Sequence, residues 1–179
     1  GQMSDVQKAR LNRTLEFLSD KRDYCIRLAT EIKKNIRYCT KKNLTLAIRL
    51  NVLSDIDWSE IKLNNGQNLF EAFPDIQFYD YTKDINKLLN NKHKNYHLTF
   101  SHSEINKKEV IKALKVGHNV AVVFSTKKGE PLPETYLGIK VIDGDNHDLR
   151  FLDNKGVIVG LRAKVKAKKM TKQGFVVQV

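Results

Sequence analysis

The sequence is poor in several features that mark large classes of protein. Its 179 residues include two cysteines, three prolines and one tryptophan, and no apolar run reaches the length of a transmembrane helix. Two cysteines alone supply neither a disulfide framework nor a structural metal site, and no secretory signal peptide is visible. We therefore expect a cytoplasmic protein that has no membrane partner.

Several enzyme signatures are also missing. The sequence contains no glycine-rich phosphate loop of the P-loop or dinucleotide type, no paired CxxC and no HExxH. Each of these motifs places backbone amides or metal ligands around a reacting group, so their absence argues against the corresponding enzyme classes. Whether the protein is an enzyme stays open on this ground.

Positive charge is what the sequence has in excess. Lysine and arginine total 32 against 20 acidic residues, which gives a formal net charge of +12. A molecule of this charge attracts polyanions, of which nucleic acid is the commonest. Lysine that only keeps the protein soluble, or that reflects a low-GC genome, explains the same excess. Both interpretations stay open.

The hydrophobic pattern predicts one α/β domain over residues 1–179. Two helices, with Ser4 and Asp20 as their expected N-caps, occupy about residues 4–40. Strands and helices then alternate over about residues 44–124, which requires a parallel sheet with right-handed crossovers. A β-rich part follows over about residues 136–179. We expect a partial or incomplete (β/α) barrel of parallel strands, with strands at residues 44–50, 76–81, 96–100, 119–124, 138–142, 157–161 and 175–179.

Polar side chains follow the first three predicted strands. In parallel α/β folds ligands bind outside the carboxyl ends of the strands, so these loops are the candidate catalytic site. A histidine near a hydroxyl and a carboxylate could move protons or bind a phosphate or metal. A hydrophilic turn that caps the next helix explains the same residues. The candidate catalytic residues are Asn51, Asp55, Asp80, Lys83, Ser101, His102 and Glu104.

A second polar cluster surrounds Gly144. Asp143, Asp145 and Asp148 are closely spaced oxygen ligands that could hold Mg²⁺ or another hard cation. The spacing does not match an EF-hand loop. A turn with Asx hydrogen bonds and an ion pair to Arg150 explains the same residues without a metal.

A third cluster is basic. Arg162, Lys164, Lys166 and Lys168 alternate along the chain, so a strand would place all four on one face. Such a stripe could bind a nucleic-acid backbone, and it is equally typical of an edge strand that is protected from aggregation.

Several strings together resemble a family of phage and plasmid proteins of unassigned activity that is related to radical-SAM-like barrels. They include Ile48-Arg-Leu-Asn51, the segment 73–83 (FPDIQFYDYTK), the segment 95–101 (NYHLTFS) and Val141-Ile-Asp-Gly-Asp145. The resemblance covers most of the chain and implies a TIM-barrel-like fold in the cytoplasm of a bacterial host. Such proteins carry a cysteine-rich segment before the first helix, so an iron–sulfur cluster is expected only if an upstream cysteine segment exists.

Two functions therefore compete. The first is an enzyme-like phage or mobile-element protein with a polar site at the carboxyl ends of the strands. The second is a non-catalytic nucleic-acid-binding protein that uses the Arg162 to Lys172 stripe and the lysines of the second helix. The sequence indicates neither the substrate nor the oligomeric state.

Overall fold

The computed structural model describes residues 4–164 and 174–179. Its helices are α1 Asp5–Ser19, α2 Lys21–Lys42, α3 Leu69–Ala72, α4 Ile85–Asn90 and α5 Lys107–Lys115. Its strands are β1 Ala47–Ile48, β2 Gln77–Thr82, β3 Tyr96–Ser101, β4 Val120–Phe124, β5 Thr135–Tyr136, β6 Ile139–Asp143, β7 Ile158–Arg162 and β8 Val176–Val177. Two short 3-10 turns cover Trp58–Glu60 and Arg150–Leu152. None of the helices in this part of the chain is both long and apolar enough to cross a membrane.

The two N-terminal helices begin where their capping residues predict. Ser4 Oγ accepts a hydrogen bond from the Gln7 amide, and the Gln7 side chain accepts one from the Ser4 amide, which completes a capping box. Asp20 accepts from the Asp23 amide at the start of α2. Asn43 ends α2 in the left-handed conformation, with φ of 52°. The two predicted helices are confirmed.

The strands form a mostly parallel sheet, which confirms a mixed α/β fold. Neighbouring strands follow the order β1-β2-β3-β4-β7-β6-β5, and β8 pairs with β4 beside this path. Strands β2, β3, β4, β7 and β6 pair in parallel, whereas β5 is antiparallel to β6. Helices α4 and α5 lie between successive parallel strands, as crossover connections require. Because β7 lies between β4 and β6, the sheet leaves chain order after β4, and the partial barrel stays a prediction.

One edge of β4 is divided between two partners. Strand β7 pairs with β4 along its full length, from Val120 to Phe124. On the other edge β3 pairs only with Val120 and Ala121, and β8 pairs with Val123 and Phe124. The sheet therefore opens between the end of β3 and the start of β8.

The first strand is shorter than its alternating leucines predict. A strand was expected over residues 44–50, but only Ala47–Ile48 is a strand. The Leu44 amide donates to the Cys39 carbonyl at the end of α2, and the Asn51 amide donates to the Asp80 carboxylate. The backbone amides of Leu44 and Asn51 therefore form their hydrogen bonds with groups other than the backbone of a neighbouring strand.

The described chain divides into two compact units, each with its own buried residues. The helical unit comprises residues 4–47 and 57–77, and in it Trp58 makes ring contacts with Phe17 and Tyr24. The sheet unit comprises residues 48–56, 78–164 and 174–179. Its largest buried apolar side chains include Phe78, Phe100 and Phe124.

Gly160, in the middle of β7, has no room for a side chain. A Cβ at this position would lie 2.7 Å from Val141 Cγ1 and 2.9 Å from Leu132 Cδ1. We expect Gly160→Ala to lower the free energy of unfolding by about 1 to 3 kcal/mol, because the packed neighbours must shift. Urea denaturation measures this change. Lys140→Ala on the adjacent strand, at an exposed position, is the control, and an equal effect of both variants would contradict the packing argument.

His97 in β3 predicts acid sensitivity. Burial, together with the nearby charges of His118, Lys155 and Arg150, lowers its pKa from the usual 6.5 to about 4. Between these values the unfolded chain binds a proton that the folded chain does not, so stability is lost as the pH falls through this window. We expect His97→Gln to flatten the pH dependence of the unfolding free energy between about pH 6.5 and about pH 4. An unchanged slope would contradict this assignment.

Candidate functional site

A cleft of about 600 Å³ lies in the sheet unit. Its walls come from the carboxyl ends of the parallel strands and from the loops that follow them. Because parallel strands bring their carboxyl ends to one edge of a sheet, residues far apart in sequence meet there. The lining residues are Arg49, Tyr81, Lys83, Ser101, His102, Ala121, Val123, Gly144, Asp145, His147, Asp148, Leu161, Lys164 and Phe175.

The divided edge of β4 forms the centre of this cleft. The His102 amide donates to the Ala121 carbonyl at 2.9 Å, and this bond follows the last residue pair between β3 and β4. Beyond it the backbone of Phe175, just before β8, forms a hydrogen bond with the His102 side chain. His102 therefore lies where the sheet changes from one neighbour of β4 to the other.

Arg49, Tyr81 and Asp148 form a hydrogen-bonded cluster on one wall. Arg49 Nη1 donates to Asp148 Oδ2 at 2.6 Å, and the Tyr81 hydroxyl donates to Asp148 Oδ1 at 3.0 Å. The Arg49 guanidinium also lies over the Tyr81 ring, 4.7 Å from its centroid. Burial and the Asp148 charge raise the pKa of Tyr81. Tyr81 is therefore a neutral hydrogen-bond donor at physiological pH.

Arg49 has more hydrogen-bond donors than the described chain satisfies. Its Nε is buried and has no hydrogen-bond partner there. A buried donor without a partner costs about 1 to 3 kcal/mol. Asp148 thus pairs with the charge of the Arg49 guanidinium, while one N–H donor of this guanidinium stays without a partner in the described chain.

His102 is a neutral side chain with a free nitrogen. Burial lowers its pKa, and the opposing effects of the Phe175 hydrogen bond and the Glu104 charge do not cancel this shift. Its Nδ1 is buried and has no hydrogen-bond partner among the described residues. A neutral imidazole nitrogen can accept a hydrogen bond or a proton from a bound molecule.

A buried arginine lies behind the wall formed by Gly144. Arg150 is fully buried, and its Nη2 donates to the His147 carbonyl and lies 3.1 Å from His147 Nδ1. Arg150 Nε is 3.4 Å from Asp153 Oδ2. Its Nη1 has no hydrogen-bond partner in the described chain and would be 3.0 Å from a Cβ at Gly144. A glycine at 144 lets the backbone of the wall approach this guanidinium closely.

Lys83 and Lys164 supply further positive charge to the cleft. Neither lysine has an ion pair with a described carboxylate. Lys83 Nζ lies 5.6 Å from the centroid of the Phe175 ring. Both side chains are exposed, so they can move toward a bound ligand at little cost.

Two of the predicted catalytic residues, Asn51 and Asp80, are buried together away from the cleft lining. The Asn51 amide donates to Asp80 Oδ1 at 2.7 Å, and the Tyr96 hydroxyl donates to Asp80 Oδ2 at 2.9 Å. Burial raises the pKa of Asp80 despite these hydrogen bonds. The pair fixes the loop after β1 against β2.

Asp55 is also outside the cleft lining and binds a buried lysine. Its Oδ1 accepts a hydrogen bond from Lys87 Nζ at 3.0 Å, and its Oδ2 accepts from Thr82 Oγ1 and the Lys83 amide. Burial by itself would raise the pKa of Asp55, but these hydrogen bonds outweigh it and the pKa falls. The Lys87 side chain is only 3% exposed, so Asp55 neutralises a buried charge.

The structure therefore separates the predicted catalytic set. Lys83, Ser101 and His102 line the cleft, whereas Asn51, Asp55, Asp80 and Glu104 are not among its lining residues. Glu104 is exposed, and its charge acts on the pKa of His102. A catalytic role for the full set stays a prediction.

The three aspartates proposed as metal ligands instead pair with arginines. Asp143 and Asp145 both accept from Arg162 Nη1, at 2.9 and 3.0 Å, whereas Asp148 binds Arg49. The described residues contain no group of three or more His, Cys, Asp or Glu side chains that could hold a metal ion. A metal role for Asp143, Asp145 and Asp148 stays a prediction, and in this structure arginines are the partners of all three carboxylates.

The basic stripe is described only in part. Its first member, Arg162, is held by Asp143 and Asp145 and is not free for a phosphate. Lys164 lines the cleft, and Lys166 and Lys168 lie outside the described residues. Alternation along a strand could not indicate that Arg162 has two carboxylate partners from a preceding loop.

The two cysteines do not fit an iron–sulfur cluster. Cys25 is fully buried in α2, and burial raises the pKa of its thiol to about 11. Cys39 is half-buried in the same helix. Cluster ligands are thiolates that converge on one point, which this pair does not provide.

Sequence reasoning missed Arg49, Tyr81, His147 and Phe175 as residues of the site. Arg49 and Tyr81 flank polar loops after β1 and β2, so their positions at the ends of strands were a usable signal. His147 likewise lies in the loop after β6, whereas Phe175 precedes β8, which pairs with β4 beside the main strand order, so no strand-end rule indicated it.

A family model described as gene product 88 matches residues 1–178. This match fits the expected class of phage and mobile-element proteins. Neither a curated protein nor a solved structure matches the chain.

The Asp55 and Lys87 pair gives a test of structural against catalytic roles. We expect Asp55→Ala to lower the free energy of unfolding by about 3 kcal/mol, because it leaves the buried Lys87 ammonium without a carboxylate partner, with only the Ile56 carbonyl as an acceptor in the described chain. Adding Lys87→Met should recover at least about 1 kcal/mol of this loss, since it removes the unpaired charge. Chemical denaturation of both variants measures these changes. An Asp55→Ala variant as stable as the unmodified protein would contradict the structural role.

Proposed function

The chain belongs to the gene product 88 family, and on this premise we propose that its sheet unit binds a phosphate-bearing ligand in the cleft at the carboxyl ends of the strands. The proposal treats the protein as a phage gene product whose site recognises an anion. It rests on one observation above all, the surplus of positively charged donors around this cleft.

The surplus remains after the nearby carboxylates are counted. Both oxygens of Asp148 already accept hydrogen bonds, from Arg49 and Tyr81. Asp145 accepts from the Arg162 amide and guanidinium. Lys83 and Lys164 therefore have no carboxylate partner among the described residues, and the buried Arg49 Nε has no hydrogen-bond partner there. An anionic ligand would satisfy them.

The chemistry of the donors favours phosphate. A guanidinium presents several N–H groups in a planar fork that matches phosphate oxygens, and an ammonium adds a point charge. The Tyr81 hydroxyl is a neutral donor beside the guanidinium. The buried Arg150 behind Gly144 pairs with Asp153, and its Nη1 is a further donor without a hydrogen-bond partner in the described chain.

The size of the cleft suits a nucleotide-sized molecule. Ligand sites of small molecules have volumes of about 300 to 1,000 Å³, and this cleft has about 600 Å³. Ala121, Val123, Leu161 and Phe175 give part of its lining an apolar character. The ligand that we propose thus carries a phosphate on a less polar body.

His102 would contact this ligand as a hydrogen-bond acceptor. Its lowered pKa keeps the imidazole neutral, and its Nδ1 has no partner in the described structure. A neutral nitrogen beside a bound hydroxyl is also the arrangement that general base catalysis requires. In the enzyme hypothesis, His102 is the residue that transfers a proton.

The finer relation to radical-SAM-like barrels continues only as a hypothesis. It would require cluster ligands other than Cys25 and Cys39, since one of these thiols is buried and both lie in one helix. The phosphate proposal requires neither a barrel, closed or partial, nor an iron–sulfur cluster.

Binding of inorganic pyrophosphate and nucleoside monophosphates by isothermal titration calorimetry tests the proposal. We expect Lys83→Gln to weaken binding at least about tenfold, because a charge-assisted hydrogen bond contributes about 1.5 to 3 kcal/mol. The side chain of Lys83 has no ion pair in the described structure, so the fold should keep its stability.

Lys108→Gln on α5 is the matched control, because this exposed lysine does not line the cleft. Its affinity should equal that of the unmodified protein. Equal weakening by both variants would indicate nonspecific charge attraction. Undetectable binding of every phosphate probe at millimolar concentration would refute the proposal.

A further inference from the structure

The second half of α2 carries an unbroken set of cations. Residues 32–43 contain no aspartate or glutamate. All five cationic side chains in this segment are exposed, and we call them the basic face: Lys33, Lys34, Arg37, Lys41 and Lys42.

Most of the basic face points away from the buried side of the helix. Cys25, Ala29 and Ile32 are the buried residues of α2. At about 100° per residue, Lys33, Lys34, Arg37 and Lys41 fall within an arc of about 100°, whose centre lies about 120° around the helix from these three. The four side chains therefore share one solvent-facing surface.

The ion pairs of α2 are confined to its first half. Arg27 binds Asp23 at 3.0 Å and Glu16 at 3.4 Å. No side chain of the basic face has an ion pair with a described residue. The exposed positive charge of the helix is thus concentrated where nothing in the described chain neutralises it.

Helix stability accounts for only part of this pattern. Lys41 and Lys42 lie in the last turn, where cations interact favourably with the helix dipole. Lys33 and Arg37, and Arg37 and Lys41, are like charges four residues apart, an arrangement that destabilises a helix by about 0.2 to 0.5 kcal/mol per pair. Such repulsion has no structural benefit in the helix itself.

We propose that the basic face binds the phosphate backbone of double-stranded DNA. From Lys33 to Lys42 the helix rises by about 14 Å, which matches roughly four phosphates of one strand at 3.4 Å each. Tyr38, which is 57% exposed, lies on the same half of the helix and adds a hydroxyl donor for phosphate or sugar.

Duplex DNA fits this surface better than an anionic membrane does. A helix that lies on a membrane buries a broad apolar face in the lipid. The apolar side of α2 is already buried in the helical unit, and Tyr38 is the one large exposed apolar side chain on the segment 32–43. The surface therefore offers charge without an apolar anchor.

Fluorescence anisotropy with a labelled DNA duplex of about 20 base pairs, across a range of salt, tests this proposal. We expect the triple variant Lys33→Gln, Arg37→Gln and Lys41→Gln to bind at least about tenfold more weakly at low salt. The slope of log affinity against log salt should fall in magnitude by about 2 to 3, because three phosphate contacts are lost. Its fold should persist, since the substitutions remove like-charge repulsion.

The matched control is the triple variant Lys108→Gln, Lys112→Gln and Lys115→Gln. These exposed lysines lie along one face of α5, and their substitution removes the same amount of positive charge. We expect this variant to keep most of the affinity and nearly the full salt slope. Equal losses in both triple variants would overturn the proposal, because net charge alone would then explain binding.

Further measurements distinguish the basic face from other surfaces and other ligands that could explain the binding. If Lys166→Gln with Lys168→Gln abolishes DNA binding while the α2 variant retains it, the stripe and not the basic face is the site. Vesicles that contain phosphatidylserine should bind weakly, and tight vesicle binding without DNA binding would also overturn the proposal. Weaker binding of the α2 variant to an RNA duplex as well would support recognition through phosphates. Calorimetry with small phosphate probes tests the cleft separately, so either proposal can fail while the other holds.

Discussion

The cleft depends on the way in which β4 divides one of its edges. Strand β7 covers the other edge completely, so β3 and β8 must share what remains. The residue that follows β3, His102, is thereby held between the Ala121 carbonyl and the backbone before β8. A sheet in which β3 paired along the whole of β4 would leave no opening at this point. The position of His102 thus follows from strand pairing and not from a property of its own loop.

Carboxylates around this edge mainly neutralise cations. Asp55 holds Lys87, Asp148 holds Arg49, and Asp143 with Asp145 holds Arg162. Each pair joins segments that are distant in sequence, so the pairs fix the loops after β1, β2 and β6. Burying a charge costs free energy unless a partner of opposite charge is close, which explains why these acids pair with cations. The charged side chains of the cleft that have no partner of opposite charge in the described chain, Lys83 and Lys164, are cations. We therefore assign an anionic ligand to the cleft.

The sequence predicted local features better than pairings between distant segments. Ser4 and Asp20 were identifiable as caps because a cap is satisfied within three residues. The alternation of strands and helices indicated a parallel sheet for the same reason, since each crossover is local. The insertion of β7 between β4 and β6 carries no local signal, and neither does the engagement of Arg162 by two aspartates. The sequence predicts a catalytic role for Asp55 and Asp80 from their places after strands, but it does not show that Lys87 and Asn51 are their partners.

The net charge of +12 can be interpreted only after the cations that have carboxylate partners are distinguished from those that have none. Arg27, Arg49, Lys87 and Arg162 each have at least one carboxylate within ion-pair distance, so their charge is largely spent within the fold. The basic face of α2 and the two cleft lysines have none among the described residues. Cations without an ion pair to a described residue also occur elsewhere on the surface, as Lys108, Lys112 and Lys115 do on α5, so exposed charge alone does not select a binding surface. The second half of α2 differs from such surfaces because residues 32–43 contain no acid, and the cleft differs because Lys83 and Lys164 meet there from segments distant in sequence. At these two places an external anion would supply the missing partner.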